Sequence, residues 1–235
     1  MHSWPRHLPA LIFFTIALPA AAGRVHEVVA AAAAQARFAA PAVATGTVTY
    51  QHDETVDAVP IVVLAHRRTL RVEVGRVRAL VRGSKALIYE DGAVRPRRDV
   101  AVVGSNLLFE DLAVFVPPLF HYPQISDDTG GSVVVTSAPR QPSVYELLVF
   151  TFAGDDTSLV GAKYYRYAVN NLVKRARWSD FTDVAGHRRP QTLVMDGVEN
   201  PHTTTLTLVW SARPDLPRRL FTAAGLAEAS NAFID

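Results

Sequence analysis

Three turn dipeptides, Gly75-Arg76, Gly83-Ser84 and Asp91-Gly92, recur every eight residues in this chain. Each suits a two-residue hairpin loop, Gly-X as type II′ and Asp-Gly as type I′. The segments between them are six residues long, the length of a short strand. In the first, Leu70, Val72 and Val74 alternate with Arg71 and Glu73; in the second, Val77, Ala79 and Val81 alternate with Arg78 and Arg82. The stretch 69–98 is therefore expected to be an antiparallel meander with one apolar and one charged face. Gly75 would alternatively be a bulge within one longer strand. Pro96 confines the last segment to a sheet edge or makes it a poor strand.

The rest of the chain extends this β texture. Strands are expected over 131–138, 143–152, 159–168, 171–178, 189–196 and 203–211, with Asp155-Asp156 and Asn170-Asn171 as turns. The threonine-rich run Thr203–Ser211 is the strongest of these signals. Helical spacing appears over residues 24–37, where Val25, Val28, Val29, Ala32 and Ala36 form one apolar stripe. A short amphipathic helix is expected around Phe109, Leu112, Ala113 and Val116, stopped by Pro117-Pro118. A turn and a short helix close the chain over 216–230. The sum is about ten strands with few helices and no regular β-α alternation, which argues against a parallel sheet. A single antiparallel sheet of this size curls. The expected fold is mainly β (α+β): one strongly curved sheet forming an unclosed barrel, with the N-terminal and internal short helices covering its concave face.

Residues 1–22 have the form of a cleavable Sec-type export signal: Arg6, an apolar run, then small residues ending at Ala22. The remaining residues 23–235 are expected to form a single domain. The sequence has no cysteine. Disulfides, a thiol nucleophile, a thiolate metal site and a lipid-anchoring cysteine are thereby excluded. The formal net charge of +2 is too small for general nucleic-acid binding. The expected protein is a soluble periplasmic monomer.

Motifs for chemistry are sparse. His26-Glu27 lacks the second histidine of a zinc-protease helix, because position 30 is Ala. There is no nucleophile elbow, P-loop or dinucleotide fingerprint. His52-Asp53-Glu54, Asp127-Asp128 and Asp155-Asp156 read first as solvated turns, and His121, His187 and His202 are isolated. No catalytic residue, metal or cofactor is assigned, and the protein is not expected to be an enzyme. Two features point to binding instead. Residues 67–98 hold ten basic against three acidic side chains. Arg71, Arg76, Arg78 and Arg82 would form a face for anionic headgroups or an acidic partner, or the solvated side of the meander. Val72, Val74, Tyr89, Phe109, Leu112, Phe115, Val149 and Trp210 would line a lipid-sized cavity or fill a core.

Several passages resemble the outer-membrane lipoprotein-sorting-like family of LolA/LolB-like periplasmic carriers. They are Gly104-Ser-Asn-Leu-Leu-Phe109-Glu110-Asp111-Leu112, Tyr145-Glu-Leu-Leu-Val, Lys163-Tyr-Tyr-Arg and Asn171-Leu-Val-Lys-Arg175. Trp178-Ser-Asp-Phe181 through Gly186-His-Arg-Arg-Pro190, Thr204-Thr-Leu-Thr-Leu208 and Leu216 through Leu226 follow in the family's order. The resemblance covers roughly residues 40–228. It implies an unclosed β-barrel with helices over its concave side, a hollow that binds lipid or lipoprotein acyl chains, and carriage between envelope membranes. It also implies transient membrane-surface contact and an inner-membrane export complex as partner. The arginine with which relatives hold their lid has no counterpart in a matching motif. A sensor or interaction module with a filled core is the alternative on the same scaffold.

Overall fold

The computed structural model describes residues 18–52, 55–83, 85–112, 120–129, 131–139, 143–154, 157–168, 170–199 and 201–230. Helix α1 (Leu18–Gln35) is followed by thirteen strands. These are β1 (Phe38–His52), β2 (Thr55–Arg67), β3 (Thr69–Val74), β4 (Val77–Arg82), β5 (Lys85–Glu90) and β6 (Ala93–Arg97). After an intervening segment come β7 (Phe120–Thr129), β8 (Ser132–Pro139), β9 (Leu147–Ala153), β10 (Leu159–Tyr165), β11 (Leu172–Val184), β12 (His187–Gly197) and β13 (Thr203–Ala212). All join one antiparallel sheet in the order β6-β5-β4-β3-β2-β1-β13-β12-β11-β10-β9-β8-β7. The two ends are not hydrogen-bonded to each other, so the barrel is unclosed.

The meander forms as its turn spacing requires. Val74 pairs with Val77, Arg82 with Lys85 and Glu90 with Ala93, leaving two-residue loops. Gly75 has φ +57°; Asp91 and Gly92 have φ 49° and 79°, as a type I′ turn demands. Gly75 is therefore a turn and not a bulge. Pro96 lies in β6, which is an edge strand.

Three strands exceed the expected number: β1, β2 and β7. β1 reads as alanines interrupted by Pro41 and Gly46, a poor strand on propensity. It is nevertheless the seam of the molecule, paired to β2 on one side and β13 on the other. Gly46 makes that seam fit: a Cβ there would lie 1.7 Å from the Thr207 carbonyl oxygen. β7 carries Pro123, Asp127 and Asp128 and has two register shifts, features tolerated because it is the other edge. Asp127 and Asp128 are thus strand residues and not a turn.

One face of the sheet carries the main core. Ile88 on β5 and Val133 on β8, near opposite ends of the sheet, belong to the same buried cluster. A flat sheet could not bring them together; the sheet must wrap around what it buries. Val28 and Ala32 of α1 are part of that cluster, as are Val102, Leu107, Phe109 and Leu112 from the segment after β6. Helix α1 begins at Leu18, inside the segment expected to be removed on export, and ends at Gln35. The internal helix expected over 109–116 is described only to Leu112, where residues 111–112 form a 3-10 turn; the remainder, including Phe115, lies outside the described residues.

The opposite face is solvated along β11 and β13 but covered over β2 to β5. Two 3-10 turns, Arg218–Phe221 and Ala224–Ala227, lie there. Leu216, Leu220, Phe221 and Leu226 pack with Val43, Leu64 and Leu80 in a second buried cluster.

Candidate functional site

The hollow of the sheet is filled by a short insert, residues 100–112. Two backbone bonds, Val102 N–H to the Leu107 carbonyl (2.7 Å) and Phe109 N–H to the Val100 carbonyl (3.0 Å), fold it back on itself. Its apolar side chains enter the core, and its polar end is anchored. Asp111, 1% exposed, accepts from Tyr145 Oη at Oδ1 (2.6 Å) and from Lys174 Nζ (2.7 Å) and Leu108 N–H (2.7 Å) at Oδ2. Lys174 Nζ also donates to the Asn106 carbonyl (2.9 Å) and lies 5.2 Å from the Tyr145 ring centroid. Asn106 Nδ2 donates to the carbonyls of Met195 and His202. With both its oxygens engaged, Asp111 is built as an anchor and not as a proton acceptor for chemistry.

Beside it, Glu110 Oε1 accepts from Ser143 Oγ (2.8 Å) and Val144 N–H (3.3 Å), while Oε2 is buried without a partner. Burial, and to a lesser degree the neighbouring Asp111 charge, pushes its carboxyl up to about 7. The Tyr145 and Tyr164 hydroxyls are raised well above the ordinary phenol, by burial first and then by Asp111.

A cleft opens where α1 ends. It is lined by Ala32, Gln35 and Ala36 of the helix end and by Phe152, Leu159, Trp178, Phe181, Arg189 and Pro190 among others. Its volume is about 50 Å³, well below the several hundred of a formed small-molecule site. Arg189, 3% exposed, stands over the Phe38 ring at 3.9 Å. Its two terminal nitrogens donate to the Gln35 carbonyl, which the helix C-terminus leaves without an intrahelical partner, and to the Arg37 carbonyl two residues beyond it. Burial pulls its guanidinium down to about 10.

The structure sorts the residues expected from sequence. Val72, Val74, Phe109, Leu112 and Trp210 are buried together in the main core. Tyr89 and Val149 are corrected. Tyr89 packs on the second cluster, across the sheet from Val72 and Val74, with the Arg78 guanidinium 4.7 Å from its ring. Val149 falls between the inward Leu148 and Phe150, so strand alternation sends it to the outer face. The basic face is corrected too. Arg71 is fully buried and donates to the carbonyls of Leu220 (3.1 Å), Gly225 (2.7 Å) and Glu228. Arg78 donates to the Leu226 and Ala227 carbonyls and Arg82 to that of Phe221. These three hold the C-terminal segment; Arg76 is exposed in its turn.

Lys174 and Arg189 had no role assigned from sequence, yet a signal exists. Lys174 shares its side of β11 with Ala176 and Trp178, and Arg189 shares its side of β12 with Leu193 and Met195. A cation in the apolar register of a strand needs a buried partner. Among the described residues, no group of three or more His, Asp or Glu side chains could hold a metal ion. No described helix is long and apolar enough to cross a membrane.

The fold recurs among solved structures. The chain is similar to a LolA superfamily protein from Nitrosomonas europaea, at 17% identity over 84% of this chain and 97% of that one, with a TM-score of 0.66. It is similar to a domain described as outer membrane lipoprotein-sorting from Vibrio parahaemolyticus, at 14% identity over 88% and 100%, with a TM-score of 0.71. A DUF1329 family protein from Desulfovibrio piger matches at 13% identity over 86% and 98%, with a TM-score of 0.69. At these identities the likeness is one of fold. No protein-family model and no curated protein matches the chain.

Proposed function

We propose that this protein is a periplasmic carrier that binds lipid or lipoprotein acyl chains within the half-barrel and moves them between envelope membranes. The observation that carries this is the nature of what fills the hollow. Among the described residues no second sheet closes over the apolar face; helix α1 and a thirteen-residue insert (100–112) contribute its cover. Helix α1 is tied at its end by Arg189, and the cleft beneath that end is lined with Phe152, Leu159, Trp178 and Phe181. A methylene exposed to water costs about 0.8 kcal/mol, so a carrier needs apolar surface for many of them. At about 50 Å³ the cleft is a closed state, and loading requires α1 to move outward. Val72, Val74, Phe109, Leu112 and Trp210 then become the surface offered to an acyl chain. Residues 1–22 act as the export signal, residues 23–235 are the working domain, and the role is binding rather than catalysis. Delivery involves transient contact with a membrane surface and with an inner-membrane complex.

The test is native mass spectrometry of the exported protein purified from a bacterial host without detergent. The expected result is a chain beginning at Gly23 with phospholipid or acylated peptide retained, and a fluorescence gain with an apolar dye. A lipid-free protein indifferent to the dye would overturn the proposal. That outcome would favour a sensor or interaction module with a permanently filled core. One observation speaks for this second reading: Leu107, Leu112, Val72 and Met195 are 0% exposed.

A further inference from the structure

Two residues that line the cleft at the end of α1 each carry a buried polar atom without a hydrogen-bond partner, Arg189 Nε and Gln35 Oε1. One is an obligate donor and the other an obligate acceptor. Both belong to side chains that line the same cleft, and Arg189 is 3% exposed. The other two nitrogens of Arg189 each donate to a main-chain carbonyl, of Gln35 and of Arg37, which fixes the guanidinium and leaves Nε as its one nitrogen without a partner. The remaining lining is largely apolar: Ala32, Ala36, Phe152, Leu159, Trp178 and Phe181. Leaving such a pair unsatisfied is costly in an apolar surround, and a ligand group that supplies one acceptor and one donor satisfies both.

On the carrier reading above, we infer that this cleft selects acyl chains joined through a secondary amide. The amide carbonyl accepts from Arg189 Nε, the amide N–H donates to Gln35 Oε1, and the chain runs onto Trp178 and Phe152. An ester has the carbonyl but no N–H, so it leaves Gln35 unsatisfied. A volume of about 50 Å³ suits the linkage itself, with the chain following as α1 moves. An N-acylated polypeptide and a free N-acyl amino alcohol share this linkage.

Three probes test the inference: an N-dodecanoyl dipeptide amide, its depsipeptide with oxygen in place of the acyl N–H, and N-dodecanoylethanolamine. Affinities are read by quenching of tryptophan fluorescence. The amide dipeptide is expected to bind about tenfold more tightly than the depsipeptide. Gln35→Met keeps the side-chain volume and removes the acceptor; it is expected to bring the preference below about twofold. Comparable binding of N-dodecanoylethanolamine assigns the site to free lipids, and weaker binding assigns it to acylated polypeptide. Equal affinity for amide and ester, or a preference that survives Gln35→Met, overturns the inference and leaves the carrier reading intact. Binding of neither probe overturns both.

Discussion

Arg71 Nη1 lies 2.7 Å from the carbonyl oxygen of Gly225, a residue 154 positions later in the chain. The same guanidinium reaches the carbonyls of Leu220 and Glu228 and pairs with Glu73 at 2.6 Å. One buried side chain thus donates to main-chain acceptors along both short 3-10 turns, of which the Gly225 carbonyl also accepts from the Glu228 N–H. Replacing it leaves several carbonyls and the Glu73 carboxylate short of a donor. Arg71→Met is expected to cost about 3 kcal/mol or more in urea denaturation. Trypsin should cut the folded variant faster after Arg218 and Arg219. Arg71→Lys should not rescue it, because an ammonium cannot span acceptors spread along a segment as a guanidinium does.

Lys174 is the counterpart on the inner face. Its removal leaves Asp111 buried, with a phenol and a backbone amide but no cation. Lys174→Met is expected to destabilise by about 3–5 kcal/mol, as is usual when one member of a buried pair is lost. Combining it with Asp111→Asn removes the stranded charge, so the double variant should be more stable than Lys174→Met alone. A double variant that is worse than either single change would mean that the charge itself does not anchor the insert.

The contrast between Arg71 and Lys174 shows what was legible in the sequence. The meander from Thr69 to Arg97 could be read because its turns are local: Gly75 and Asp91-Gly92 need only their own φ angles. Lys174 and Arg189 were legible in principle, since they break an apolar strand register. Arg71 was not. It sits in the outward register and is covered by a segment from the far end of the chain, so its burial depends on a contact that no local pattern encodes. The face taken by Tyr89 and Val149 is not locally encoded either. Apolar character marks them as buried surface, but only strand parity and the C-terminal cover decide which face. β1 does not read as a strand because its alanines, Pro41 and Gly46 argue against one, while its pairing to β2 and β13 overrides propensity.

Glu110 makes the anchored insert sensitive to pH. Burial raises its carboxyl from the ordinary 4.5 to about 7 in the folded protein. Between those values the native state holds a proton that the unfolded chain has released, so stability falls as pH rises through this window and levels off above it. Glu110→Gln mimics the protonated form. It should flatten the decline and leave the variant more stable than the natural chain at pH 8, by on the order of 2 kcal/mol. Urea titrations at a series of pH values measure this directly. Parallel slopes for the two proteins between pH 5 and 7 would exclude Glu110 as the source.

Gly46 tests whether the two halves of the sheet fold as one unit. β1 through β6 form one run of neighbours and β7 through β13 another, and the β1–β13 ladder joins them. At its middle Gly46 pairs with Leu208, and a Cβ would meet the Thr207 carbonyl oxygen at 1.7 Å and its carbon at 2.8 Å. Both are backbone atoms, so no rotamer change can relieve the clash; the strands must separate locally. Gly46→Ala is therefore expected to cost on the order of 3 kcal/mol despite adding a single methyl group. The loss should also be specific in place. Amide hydrogen exchange should accelerate most at Val48 and Leu206, which flank the clash on the two strands, and least in the β3–β5 meander. If exchange instead rises uniformly across the sheet, the seam opens only with global unfolding and the sheet behaves as one cooperative unit. A stability within about 0.5 kcal/mol of the natural chain would show that the seam tolerates a side chain, and that the close approach at Gly46 is not what fixes it.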